Sequence, residues 1–218
     1  MILVDVDGTM VDSVPDLSWC IDNMMLELGM KPRGIDAARL WVGNGVEKLV
    51  HRALTADLDL EADEQQFIPA ISIFRQLYAD NTSKRSVVYE GVKPALTWFK
   101  QNGFKLGCVT NKAEQFTIPL LQDKGLLDFF TIVISGDSLP KKKPDPMPLL
   151  HVADYFNVQA QDSLMIGDSI SDVKASRSAG FNIATMTYGY NHGEDIRDAQ
   201  PDIVVDRMDQ LIDIIDGL

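Results

Sequence analysis

The sequence predicts an α/β fold, a doubly wound parallel sheet with a helical cap domain inserted near its start. Three observations carry this expectation. From Val87 onward, short apolar runs alternate with apolar stripes at helical spacing, the pattern of a parallel sheet covered on both faces. Between Asp12 and Arg85, helical stripes follow one another with no convincing strand. The apolar runs end in polar residues capable of chemistry, at the edge where open α/β sheets bind ligands.

The elements follow in order. Met1 to Val6 is a short apolar run that stops at the turn around Gly8, so it reads as a buried first strand. Ser13 and Asp16 have capping-box spacing, with Pro15 in the first turn. Leu17, Ile21, Met24, Met25 and Leu28 then make a helical face that Gly29 ends. After the turn Gly43-Asn44-Gly45, a second face runs through Val46, Leu49, Val50, Ala53 and Leu54. A third runs from Phe67 to Tyr78, with Pro69 predicting a start or a kink. Beyond Val87 the pattern gives helices at Val92–Phe99, 113–124, 149–156 and 172–179, and one closing the chain from Met208. Strands are expected at 105–109, 131–134, 163–166, 182–186 and 203–205. The division expected is a core of residues 1–13 and 86–218 and a cap of residues 14–85.

Composition narrows the function classes. A chain of 218 residues makes one or two domains and buries a core without metal or disulfide staples. Twenty basic against 32 acidic residues give a net charge of -12, which disfavours general binding to nucleic acid or anionic membrane. Cys20 and Cys108 sit in apolar stretches and read as buried thiols. No apolar run approaches a membrane span of roughly 20 residues, and the N-terminus lacks the basic start of a signal peptide. The expected setting is the cytoplasm and the expected partner a small molecule, with the protein a monomer or homodimer.

The strand ends carry the chemistry. The first presents Asp5 and Asp7, the second Thr110-Asn111-Lys112, the loop after the third Lys141-Lys142-Lys143-Pro144, and the fourth Asp168, with Asp172 beyond it. Carboxylates gathered on one rim repel unless a cation sits among them, and an all-oxygen set suits Mg²⁺. A dianionic phosphate ester would need that cation and Lys143, since the protein's overall charge opposes it. No Ser-His or Cys-His nucleophile is legible, whereas a carboxylate can attack phosphorus. Asp5 suits the nucleophile, and Asp7 the acid that protonates the leaving alkoxide and later the base for water. Lys141 and Lys142 read as a solvated basic loop, and His51, His151 and His192 as ordinary surface or cap residues. Lys48 and Arg52, one turn apart on a cap helix, read either as a solvated face or as a pair of which one reaches a substrate carboxylate when the cap closes.

These segments, Asp5-Val6-Asp7-Gly8-Thr9, Val109-Thr110-Asn111-Lys112, Lys143-Pro144-Asp145-Pro146 and Gly167-Asp168-Ser169 with Asp172, resemble the four ordered motifs of the haloacid dehalogenase superfamily. Trp41 to Gly45, Gly136 to Pro140 and Thr187 to Asn191 resemble its bacterial branch acting on 2-phosphoglycolate. The resemblance implies a Rossmann-like core, a helical cap and Mg²⁺ dependence. It makes Asp5 nucleophile and metal ligand. Asp7 becomes the acid/base, ligating through its backbone carbonyl. Thr110 and Asn111 bind phosphate, Lys143 stabilises nucleophile and phosphate, Asp168 ligates the metal, and Asp172 is a further or supporting ligand. Asp7 separates the chain from the dehalogenase branch, which lacks that aspartate. Phosphatases of sugar phosphates or pyrophosphate, and a β-phosphoglucomutase-like isomerase, are the alternatives. Val4 stands where the family often has an aromatic residue, and the first strand is short, which brings its stability at an edge into question.

Overall fold

A computed structural model describes residues 1–217. Strand β1 (Ile2–Val4) leads through β2 (Val11–Asp12) into helices α1 (Val14–Glu27), α2 (Ile35–Trp41), α3 (Val46–Thr55) and α4 (Glu64–Ala79), and the chain returns at β3 (Val87–Val88). It continues through α5 (Val92–Gln101), β4 (Leu106–Val109), α6 (Glu114–Asp123), β5 (Ile132–Ile134), α7 (Met147–Phe156) and β6 (Leu164–Gly167). The last elements are α8 (Ile170–Ala179), β7 (Asn182–Met186), β8 (Ile203–Val205) and α9 (Gln210–Asp216).

Six strands form one sheet in the order β5-β4-β1-β6-β7-β8, every pair parallel. Strand β1 is therefore central, not an edge: Leu3 registers with Gly107 on one side and Met165 on the other. Its brevity is offset by pairing on both sides. Alternate side chains enter opposite layers. Ile2 and Val4 join Leu96, Phe99, Leu120 and Leu211, while Leu3 joins Leu149, Val152 and Val173. Helices on both faces make the sheet doubly wound.

The four helices between β2 and β3 share their own core, in which Ile21, Met24, Val50 and Phe74 are fully buried. Phe116 of α6 and Tyr190 complete that cluster from the sheet side. The crossover is tied by the antiparallel pair β2–β3.

Three local expectations are corrected. Ser13 makes no capping hydrogen bond and its hydroxyl is buried without a partner. Asp16, fully buried, instead accepts from the backbone N–H groups of Arg85 and Ser86 at 2.9 and 2.8 Å and from the Ser86 hydroxyl at 2.6 Å. It fastens the outgoing chain to the returning one. Helix α2 escaped notice because its seven residues bury only Ala38 and Trp41, too few to make a stripe. Helix α4 does not start at Pro69, one of the two outcomes expected there, but runs through it from an Asp63 cap. Pro69 and Gln65 lie on the exposed side, so the carbonyl that proline leaves unbonded is open to solvent.

Candidate active site

Because β4, β1 and β6 are neighbours, their carboxyl ends bring Asp5, Thr110 and Asp168 to one rim. Asp5 Oδ1 accepts from the Val6 backbone N–H at 2.7 Å, and Lys143 Nζ stands 3.1 Å from Asp5 Oδ2. Lys143, 2% exposed, also donates to Asp172 Oδ1 and the Val109 carbonyl, each at 2.7 Å. Asn111 Nδ2 donates to the Lys143 carbonyl at 2.8 Å, while its buried Oδ1 has no partner. The Lys143–Pro144 peptide is cis.

Asp168 is held by the Thr9 hydroxyl at 2.7 Å on one oxygen and by the Tyr190 N–H at 2.6 Å on the other. Two glycines permit this. A side chain at Gly8, whose φ is +81°, would meet Asp168 Oδ2 at 2.2 Å, and one at Gly189 would meet Asp168 Cβ at 2.1 Å. The capping box expected at α1 occurs at α8 instead, where Ser169 and Asp172 cap reciprocally.

Oxygens of Asp5, Asp168 and Asp172 lie within 4.8 Å of one another. Burial, then Asp172 as a like charge, pushes the Asp5 carboxyl up to about 6 against the pull of Lys143. Burial, then Asp172 and Asp5, pushes Asp168 well above the ordinary carboxylate range. Burial alone would lower Lys143, but Asp172 and Asp5 outweigh it and hold the ammonium above its usual value. Hard oxygen donors crowded to the point of mutual repulsion fit a divalent cation. The fit is best for Asp5 and Asp168. Asp5 and Asp168 each meet two protein donors, whereas Asp172 meets four: Lys143 at 2.7 Å, the Asp168 N–H at 3.3 Å, and Ser169 N–H and Oγ at 3.1 and 2.7 Å.

These groups face a cavity lined by Asp5, Asp7, Thr110, Asn111, Lys143 and Asp168. Leu17 and the run Val42–Val46 line it from the cap, and Lys112, Tyr190 and His192 from the sheet domain. Asp7 is ion-paired to Lys112 at 3.0 Å.

Neither Lys48 nor Arg52 reaches the cavity. Lys48 is exposed and pairs with Glu61 at 2.8 Å. Arg52 is buried behind the cavity-lining loop, donating from Nη1 to the Trp41 and Gly43 carbonyls at 2.6 and 3.2 Å and from Nε to the Leu58 carbonyl at 3.0 Å. With Nη2 also donating to Asn44 Oδ1 at 3.3 Å, it braces that loop. Sequence reasoning gave Lys112 no role and read His192 as an ordinary surface or cap residue, yet both line the cavity. His192 meets the Leu40 carbonyl at 2.8 Å beside the cavity. Lys141 and Lys142 are both exposed, as expected; Lys141 pairs with Asp145, and Lys142 also crosses to the Asn44 carbonyl at 2.8 Å. Tyr190, in the Thr187 to Asn191 segment, is 3% exposed and lines the cavity.

A parallel sheet with an inserted helical unit, and carboxylates and a buried lysine at its strand ends, defines the class. Residues 2–186 match the model of the haloacid dehalogenase-like hydrolases, and the chain belongs to that family. It is 57% identical to the phosphoglycolate phosphatase of Nitrosococcus oceani over 215 residues, covering 99% of this chain and 96% of that protein. It is 44% identical to the phosphoglycolate phosphatase of Nitrosospira multiformis, covering 94% and 90%. A crystal structure of a predicted phosphoglycolate phosphatase from Haemophilus somnus superposes with a TM-score of 0.93 at 31% identity, covering 99% and 97%.

Proposed function

We propose that this hydrolase converts 2-phosphoglycolate to glycolate and phosphate in the cytoplasm, through an aspartyl-phosphate on Asp5, with Mg²⁺ as its cofactor. The observation that carries the chemistry is the buried Lys143 ammonium set between Asp5 and Asp172, with Lys143 and Asp5 both lining the cavity. The substrate name rests on relatives of that name matched over nearly the whole chain.

Asp5 and Asp168, with the Asp7 carbonyl, would hold the metal. Bound there, Mg²⁺ supplies the positive charge that lets a dianionic phosphoryl group approach a carboxylate. Lys143 adds charge and, anchored by Asp172, keeps Asp5 aimed. Thr110 and Asn111 receive the phosphoryl oxygens. An Asp5 oxygen bonds to phosphorus as the phosphorus–alkoxide bond breaks, and Asp7 gives its proton to the alkoxide. Water then attacks phosphorus, its proton passes to Asp7, and the Asp5–phosphorus bond breaks to release phosphate.

Phosphate release with Mg²⁺ across 2-phosphoglycolate, sugar phosphates, nucleotides and pyrophosphate tests the reading. The expected result is the highest kcat/KM for 2-phosphoglycolate. A preference for a sugar phosphate would keep the chemistry and discard the substrate, and release from none would discard both.

A further inference from the structure

We infer that Lys112, steadied by Tyr78 of the cap, is a positioning residue that aims the Asp7 carboxylate, making the proton-transfer step depend on a docked cap. The inference rests on the function proposed above and assigns a role to two residues outside that scheme.

Three contacts carry it. Lys112 Nζ lies 3.1 and 3.0 Å from the two carboxylate oxygens of Asp7, and it also donates to the Tyr78 hydroxyl. These contacts engage all three ammonium donors, so none remains for a substrate carboxylate. The lysine side chain is 2% exposed whereas Asp7 keeps 20% and lines the cavity, as expected of a buried support behind a working group.

The lysine is itself held in place. Its backbone N–H donates to Thr110 Oγ1 at 3.3 Å, and its carbonyl accepts from the Gly136 N–H at 2.8 Å and the Thr117 hydroxyl at 3.1 Å. Tyr78 is fully buried near the end of α4, its ring 4.7 Å from that of Phe116 on α6. The Lys112–Tyr78 contact therefore joins the cap to the sheet domain at the side chain assigned the proton. A carboxyl on a free strand end can rotate; one held by an ammonium through whichever oxygen is unprotonated is kept in place, and orientation is a large part of proton-transfer efficiency.

The test uses Lys112→Met and Tyr78→Phe in the full-length protein with Mg²⁺, each checked for a native urea transition. Three substrates are compared: 2-phosphoglycolate; ethyl phosphate, an alkoxide leaving group without a carboxylate; and p-nitrophenyl phosphate, whose leaving group needs no proton. For Lys112→Met, kcat on both alkyl phosphates should fall on the order of 10²-fold. The pre-steady-state burst of p-nitrophenol should hold within about threefold, followed by a slowed steady state as dephosphorylation lacks its base. Tyr78→Phe, which removes one anchor and keeps the ring, should show the same pattern about tenfold more weakly.

An equal loss in the burst and in alkyl phosphate turnover would mark a merely structural role. A loss confined to 2-phosphoglycolate would mean that Lys112 binds the substrate carboxylate. Unchanged kinetics in both variants would also overturn the inference. If the wild-type protein turned over neither alkyl phosphate, the functional reading would fall first and this inference with it.

Discussion

Lys143 Nζ lies 2.7 Å from Asp172 Oδ1, both groups buried, and the same ammonium stands 3.1 Å from Asp5 Oδ2. One cation thus serves two carboxylates that would otherwise repel. Asp172, anchored in turn by the first turn of α8, fixes where the ammonium can be. In Lys143→Met both carboxylates lose their partner. Breaking a buried pair in this way costs about 3 kcal/mol, and loss of charge facing the phosphoryl group should lower kcat by about 10²-fold or more. Urea unfolding and phosphate release measure the two effects separately.

The Asp5 carboxyl gives a pH dependence of stability in the absence of divalent cations. Its value rises from 3.8 to about 6 on folding, burial being the main cause. Below pH 3.8 the group is protonated in both states. As pH rises from there through about 6, the unfolded chain releases its proton first, so stability is lost across this window. Asp5→Asn should flatten that part of the profile and be more stable than wild type at neutral pH. Urea midpoints from pH 4 upward, in chelator, check the sign.

Added Mg²⁺ should reverse the penalty. A ligand that binds only the folded state raises Tm with its concentration, and a divalent cation relieves the repulsion between Asp5 and Asp168. Wild-type Tm should climb by several degrees at millimolar Mg²⁺, since about 1 kcal/mol moves a domain of this size by roughly 2–4 °C. Asp168→Asn should lose most of the shift. Differential scanning calorimetry with and without Mg²⁺ reads it directly.

Lys48 and Arg52 should separate cleanly. Lys48→Ala removes an exposed pair with Glu61, so stability should change by less than about 0.5 kcal/mol and KM by less than about twofold. Arg52→Met strands the Trp41 and Gly43 carbonyls behind the cavity loop. It should lose about 2 kcal/mol, and loosening of that loop should raise KM. Thermal melts and Michaelis curves for both variants suffice.

How far the sequence carried depended on what kind of signal each residue leaves. Asp5, Thr110 and Asp168 were legible as one cluster because each follows an apolar run, and a parallel sheet sends the ends of such runs to one edge; Lys143, in the loop beyond β5, was placed with them mainly by the resemblance of its motif. Arg52 was misjudged because helical spacing says which side chains share a face, not whether that face meets a cavity or the back of a loop. Lys112 was quoted with its motif but given no role, since its partners Asp7 and Tyr78 are 105 and 34 residues away in the chain. Asp16 looked like half of a capping box because the spacing was right; its partners Arg85 and Ser86 arrive only once the chain has crossed the cap and returned. Sequence periodicity resolves elements, while pairings across them need the tertiary structure.

The most direct test of the central claim, that Asp5 is the nucleophile, is to look for the phosphoryl group on it. Wild-type protein and Asp7→Asn are mixed with 2-phosphoglycolate and Mg²⁺, quenched in acid at successive times, digested and analysed by peptide mass spectrometry. The account predicts a transient phosphoryl group on the Asp5 carboxylate in wild type, and a slower but longer-lived one in Asp7→Asn. Release of phosphate in the first turnover with no phosphoryl group ever on Asp5 would contradict it.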